Sequence, residues 1–312
     1  MEQFLNIAKN SEYLKKFEPL YVGSGADNIV FKIKASEKKF VKVSRDMLER
    51  QIDCIVSGGN INEQIEGQKK RIQEFKEKQN KIIDVFGIDH VLRSDFIRHK
   101  IELTKNEASE IVGKEINGKE EKYQIDTFIQ TQPIAKELRD KEKYQTKSFN
   151  TALMREVDFG KGGERDVIIN NGIPAAQKFV SEFPRGFINE LKTKKVSEEY
   201  IPVYKEILEK MIAYTKKTGS MIDIFGPENI TVFKDENGKV GYHLIDPILP
   251  GKTEHFEKPF IERNMNGLRH GCIYYYSLRD GAKLLGIEDS IQLEDLNYFK
   301  GIDEETKKKI EQ

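Results

Sequence analysis

The sequence predicts an α+β chain in two parts, a strand-rich amino-terminal part over residues 1–132 and a mainly helical part over 133–312. Three observations carry that expectation. Residues 20–33 read as strand, glycine turn, strand, with glycines at 23 and 25. Residues 62–86 repeat Ile65, Ile72, Phe75, Ile82, Ile83 and Phe86 at helical spacing before Gly87. Residues 230–233 and 240–245 alternate like strands about Asn237-Gly238, a strong hairpin turn signal.

Taken in order, residues 1–17 predict a short amphipathic helix carrying Phe4, Leu5, Ala8 and Leu14 on one face. Strands follow over about 18–43, the third being Phe40-Val-Lys42-Val. After the 62–86 helix, strands are expected at 96–103, 109–116 and 123–131, with Asn117-Gly118 turning between the last two. A five-stranded antiparallel sheet with one long helix is expected from this part of the chain. Pro133, which has no backbone donor, ends the last strand. Residues 141–172 carry no readable pattern, and Gly160-Lys-Gly-Gly163 reads as a surface loop. Helices are predicted over 174–191, 197–217 and 266–285, the last containing Tyr274-Tyr275-Tyr276 as core. The charged end, 303–312, reads as a short surface helix or frayed tail.

Composition narrows the function classes. The 312 residues carry 52 basic and 52 acidic side chains, a net charge of zero, which argues against an obligate nucleic-acid binder. The two cysteines, Cys54 and Cys272, lie far apart and outside any metal-ligand spacing, so a reducing cytoplasm is the default. The start, Met1-Glu-Gln-Phe-Leu, lacks the positive charge of a signal peptide, and no segment is apolar enough to predict a membrane span. The five histidines show no metal-like spacing, and His243 reads as structural.

The residues with chemical promise cluster in two places. A hairpin returns its far end to its beginning, so Asn229 and Asp246 are expected side by side, with Asp223 overhanging them from the preceding loop. An amide oxygen and a carboxylate at that separation suit magnesium, a hard cation that takes oxygen ligands and keeps waters or phosphates. A further carboxylate upstream can receive a proton or orient a nucleophile. Near the amino terminus, Gly23, Ser24 and Gly25 let backbone N–H groups approach phosphate oxygens, and Lys42 on the neighbouring strand meets phosphates as a point charge.

In this order the residues resemble the protein kinase and aminoglycoside-phosphotransferase-like superfamily, in short islands from about Leu20 to Pro247. Gly23, Gly25 and Val30 match anchor points of the glycine-rich loop, with Asn28 where its third glycine would be. Lys42 matches the lysine of the third strand. Asp223 resembles the catalytic-loop aspartate, Asn229 the metal-binding asparagine and Asp246 the metal-binding aspartate of D-F-G. The resemblance implies a two-lobed kinase-like fold, ATP and Mg2+ as cofactors, and transfer of a terminal phosphate to a hydroxyl acceptor, a small molecule or a protein. It also implies a helix glutamate paired with Lys42, for which Glu77 is the first choice and Glu74 the second. The sequence departs from the family at several points. Met221 and Ile222 stand where it has His and Arg, and one extra residue, assigned to Gly226, separates Asp223 from Asn229. Pro247-Ile248 replaces Phe-Gly, and no A-P-E follows. These departures keep a second expectation in view, a nucleotide-binding or scaffolding pseudokinase without transfer activity.

Overall fold

In the computed structural model the described residues are 19–24, 28–33, 39–113, 115–116, 121–140, 142–151, 173–182, 186–226, 228–248, 265–302 and 304–311. The expected helix at 1–17, the turn at 117–118 and the glycine run at 160–163 lie outside them. The chain is α+β and divides into two compact units. Neither unit is continuous in sequence. One holds residues up to Asn80 together with Leu92–Arg139, and the other holds Lys81–Val91 together with Asp140–Gln312. The short segment 81–91 joins the second unit because Ile82, Phe86 and Val91 are buried in that unit's core.

The first unit is built on strands β1 (Pro19–Ser24), β2 (Asn28–Ile33), β3 (Lys39–Ser44), β4 (Asp95–Thr104) and β5 (Lys122–Pro133). They form one sheet in the order β1-β2-β3-β5-β4, every pair antiparallel. Alternation sends Ile29, Phe31, Val41, Val43, Ile101, Leu103, Ile125 and Ile129 to one face, where all are buried. Two helices cover that face: α1 (Arg45–Val56) with Leu48 and Ile52, and α3 (Lys105–Val112) with Ala108 and Ile111. Each such large aliphatic side chain contributes roughly 1.5–3 kcal/mol by leaving water.

Helix α3 replaces the strand expected at 109–116. Its start is fixed by a capping box: the Thr104 hydroxyl accepts from Glu107 N–H at 3.3 Å, and Glu107 accepts from Thr104 N–H at 2.8 Å. Gly113, at φ 72°, ends it. These local hydrogen bonds outweigh the β-branched composition that suggested a strand. Helix α1 was not foreseen; Ser44 caps it by accepting from Met47 N–H. The long helix α2 (Ile61–Phe86) matches its expected span and stops at Gly87, whose φ of 92° suits glycine.

The second unit joins a three-stranded antiparallel sheet to helices. The sheet runs β6 (Gln145–Ser148), β7 (Ile230–Lys234), β8 (Val240–Leu244), and β6 lies in the stretch that carried no readable pattern. In the β7–β8 connection, Asp235 accepts from both Asn237 N–H and Lys239 N–H, and Gly238 takes φ 81°. The short α4 (Lys136–Arg139) ends the first unit, and the second unit's helices are α5 (Ile173–Glu182), α6 (Gly186–Lys192), α7 (Ile201–Thr218), α8 (Met265–Leu285) and α9 (Glu304–Glu311).

The single helix expected over 174–191 is two helices, α5 and α6. Gly186 has φ 58°, and a Cβ there would lie 1.9 Å from the Asn150 carbonyl oxygen, which instead accepts from Phe187 N–H. Only glycine admits that approach. Tyr274, Tyr275 and Tyr276 are core residues, as expected. The carboxyl-terminal segment is neither frayed nor purely surface: Ile310 of α9 is fully buried, and its carbonyl accepts from the Tyr276 hydroxyl at 3.1 Å. No helix among the described residues is long and apolar enough to cross a membrane.

Candidate functional site

In the second unit, α7 delivers the chain to Asp223. The helix ends at Gly219 (φ 70°), against which the Asn297 side chain packs so closely that a Cβ would meet it at 2.2 Å. Asn297 Nδ2 donates to the Thr218 carbonyl and closes the helix end. Beyond it, Met221, Ile222, Ile224 and Phe225 are all buried, so the loop is seated in the core by apolar side chains on both sides of Asp223. Met221 and Ile222 are thus core residues.

Three separate segments then meet. Asp223 N–H donates to the Pro247 carbonyl at 2.9 Å, tying the loop to the end of β8. The Asn229 carbonyl accepts from Ile245 N–H at 2.7 Å and from Asp246 N–H at 3.3 Å, so residues 229 and 246 are neighbours across the hairpin base. The Asp223 carboxylate accepts from Phe225 N–H at 3.0 Å and also takes hydrogen bonds from the Gly226 backbone and the Asn229 side chain. Asp223, Asn229 and Asp246 therefore converge. Glycine at 226 has a physical reason: a Cβ there would lie 2.5 Å from Asn229 Nδ2, so the small residue lets that amide reach Asp223. Glu228 holds φ 70°, an uncommon backbone for a non-glycine residue, and its N–H is tied to Ser148 Oγ at 3.0 Å.

Asp223 is an unusual carboxyl. Burial pushes it up from the ordinary 3.8 to about 6; the Phe225 N–H opposes that shift, and the nearby Asp246 charge adds to it. A buried carboxylate poised near neutrality can take a proton from a hydroxyl. Asn229 and Asp246 offer hard oxygen donors for a cation. No group of three or more His, Cys, Asp or Glu side chains among the described residues forms a metal cage.

In the first unit, the sheet register aligns another set. Gly23 pairs with Val30, Val30 with Lys42, Lys42 with Gln130, and Gln130 with Phe96. Directly paired residues share a face, so these form one transverse row on the face opposite the α1–α3 core. Lys42 is only 8% exposed there. Ser24 continues β1 and pairs with Ile29, while Gly25 lies outside the described residues.

Helix α2 lies against the Phe96 end of the row, where Phe75 meets Phe96 edge-to-face at 5.2 Å. Glu77 and Glu74, expected to pair with Lys42, are exposed; Glu77 accepts from Gln73 at 2.9 Å, and Glu74 lies 4.0 Å from Lys70. The buried stripe of α2 instead carries amides. Gln79 Oε1 accepts from Ser94 N–H at 3.2 Å, and the Ser94 hydroxyl accepts from Gln130 Nε2 at 2.8 Å. This chain of amides around the Lys42 row was missed from sequence. Its one signal was Gln79 falling seven residues after Ile72 and seven before Phe86, inside the apolar stripe.

His90 stacks on Tyr242 at 4.1 Å and His243 on Phe233 at 5.1 Å. Cys54 and Cys272 are both free and buried, and burial pushes the Cys272 thiol up. No family model matches the chain, and no curated protein or solved structure matches it.

Proposed function

We propose that the chain is an ATP- and magnesium-dependent phosphotransferase of the protein kinase and aminoglycoside-phosphotransferase-like superfamily, moving a terminal phosphate to a hydroxyl acceptor. The observation that carries this reading is the convergence of Asp223, Asn229 and Asp246 from a loop and two ends of a hairpin. An acid poised near neutrality beside an amide and a second carboxylate suits proton acceptance next to a cation. Nothing in a purely structural hairpin calls for that combination.

The donor set fits magnesium, which is commonly held by one or two carboxylates together with substrate phosphates rather than by an all-protein cage. Asn229 and Asp246 are the residues that would hold it. When bound, magnesium neutralises phosphate charge as it develops. The chain's own residues do the rest. Under this reading, backbone N–H groups at Gly23 and Ser24 would cover phosphates, Val30 would offer an apolar contact, and Lys42 would supply positive charge. Asp223 orients the acceptor hydroxyl and takes its proton. Such chemistry depends mainly on positioning and charge stabilisation.

A second reading, nucleotide binding without transfer, is favoured by one observation: Glu77 and Glu74 are turned to solvent rather than buried near the lysine's row. Two assays separate the readings. A thermal shift with ATP, with and without magnesium, reports binding. Phosphate transfer from γ-labelled ATP reports catalysis, and the phosphotransferase reading predicts loss of transfer in both Asp223→Asn and Asp246→Asn. Magnesium-dependent binding with no transfer in the wild type selects the pseudokinase; no binding at all removes both.

A further inference from the structure

The backbone on either side of Asp223 is hydrogen-bonded, and both sides lead to one helix. Ile222 N–H donates to the Tyr274 hydroxyl at 3.3 Å, and that oxygen lies 3.0 Å from Thr215 Oγ1 on α7. On the far side, the Ile224 carbonyl accepts from Thr151 N–H at 2.9 Å. The Thr151 hydroxyl lies 2.8 Å from Ser277 Oγ. Tyr274 and Ser277 are three apart on α8 and project from the same face. Tyr274, Ser277, Thr215 and Thr151 are all buried.

We infer that the Tyr274 hydroxyl and the Thr151–Ser277 pair are positioning residues, a two-point clamp from α8 that sets where the Asp223 carboxylate points. The neighbouring loop residues Met221, Ile222, Ile224 and Phe225 supply burial, but apolar contact has no direction. Hydrogen bonds do, and a fully satisfied buried polar network rigidifies its surroundings. Phenylalanine and alanine would fill the core equally well at 274 and 277, whereas burying hydroxyls there is costly unless they are paired. Burial also pushes the Tyr274 hydroxyl far up, so it stays protonated and neutral. With the Asp223 N–H fixed to Pro247, three successive residues are held by three different segments. A reacting group held this way stays within the ~0.5 Å that productive geometry tolerates.

The consequence for rate rests on the phosphotransfer reading; the consequence for geometry does not. The test takes full-length Tyr274→Phe and Ser277→Ala. It reads amide exchange at Ile222 and the Asp223 titration midpoint by NMR, then kcat and KM for ATP. Tyr274→Phe is expected to speed Ile222 exchange and move the Asp223 midpoint. It should lower kcat roughly tenfold while KM for ATP stays within about twofold. Ser277→Ala should act in the same direction, and serves if Tyr274→Phe does not fold. In an Asp223→Asn background neither change should lower the residual rate further. Unchanged Ile222 exchange and Asp223 midpoint overturn the clamp, as does a kcat loss that persists without the Asp223 carboxylate. If the wild type transfers no phosphate, the phosphotransfer reading falls while exchange and titration still decide the clamp.

Discussion

Asp223 carries an energetic cost that its neighbours do not remove. Its carboxyl is pushed up from 3.8 to about 6, burial being the largest cause. Between those values the folded chain holds a proton that the unfolded chain has released. Stability contributed by this group is thus fully present below pH 3.8 and lost as pH rises through 6. At pH 7 the charged carboxylate is a net penalty, so Asp223→Asn is predicted to raise stability by ~1–3 kcal/mol, read as a higher urea midpoint, while lowering transfer to a small residual rate. The Asp246 charge is one cause of the shift, so Asp246→Asn is expected to lower the Asp223 midpoint in an NMR titration and remove magnesium-dependent nucleotide binding. At this scale the sequence was informative wherever spacing alone determined proximity. A hairpin closes on itself, so Asn229 and Asp246 had to be neighbours. Glu77 was not legible in this way. Charged residues on a long helix leave its rotation to the apolar stripe, and that stripe turned Gln79, not Glu77, inward.

Elements were legible when a single pattern spoke and obscure when two competed. The 62–86 helix and the 230–245 hairpin each had periodicity and stop signals in agreement. Residues 109–116 had a strand-like composition but a Thr104–Glu107 capping box just upstream, and the box prevailed. Removing it tests that explanation: Thr104→Ala is predicted to cost about 1 kcal/mol, measured as a lowered urea midpoint. Strand β6 was invisible because four residues, Gln145–Ser148, carry no apolar alternation; β7 supplies its partner, from distant sequence. The division of the expected 174–191 helix likewise depends on a remote group, the Asn150 carbonyl that Gly186 accommodates.

For the molecule as a whole, each unit has its own core. The register row Gly23–Val30–Lys42–Gln130 belongs to one unit and the Asp223–Asn229–Asp246 group to the other. The carboxyl-terminal helix is part of the second unit rather than an appendage, because Ile310 is fully buried and held by Tyr276. Ile310→Ala is therefore predicted to destabilise by ~2–4 kcal/mol, seen as a lower melting temperature. Proton acceptance by Asp223 during phosphate transfer is probed by the pH dependence of kcat/KM for transfer from γ-labelled ATP with saturating magnesium. Activity is expected to fall about tenfold per pH unit below an acid limb near pH 6, with no such limb in the residual rate of Asp223→Asn. An Asp223→Asn variant that transfers phosphate as fast as the wild type, with the same limb, would contradict it.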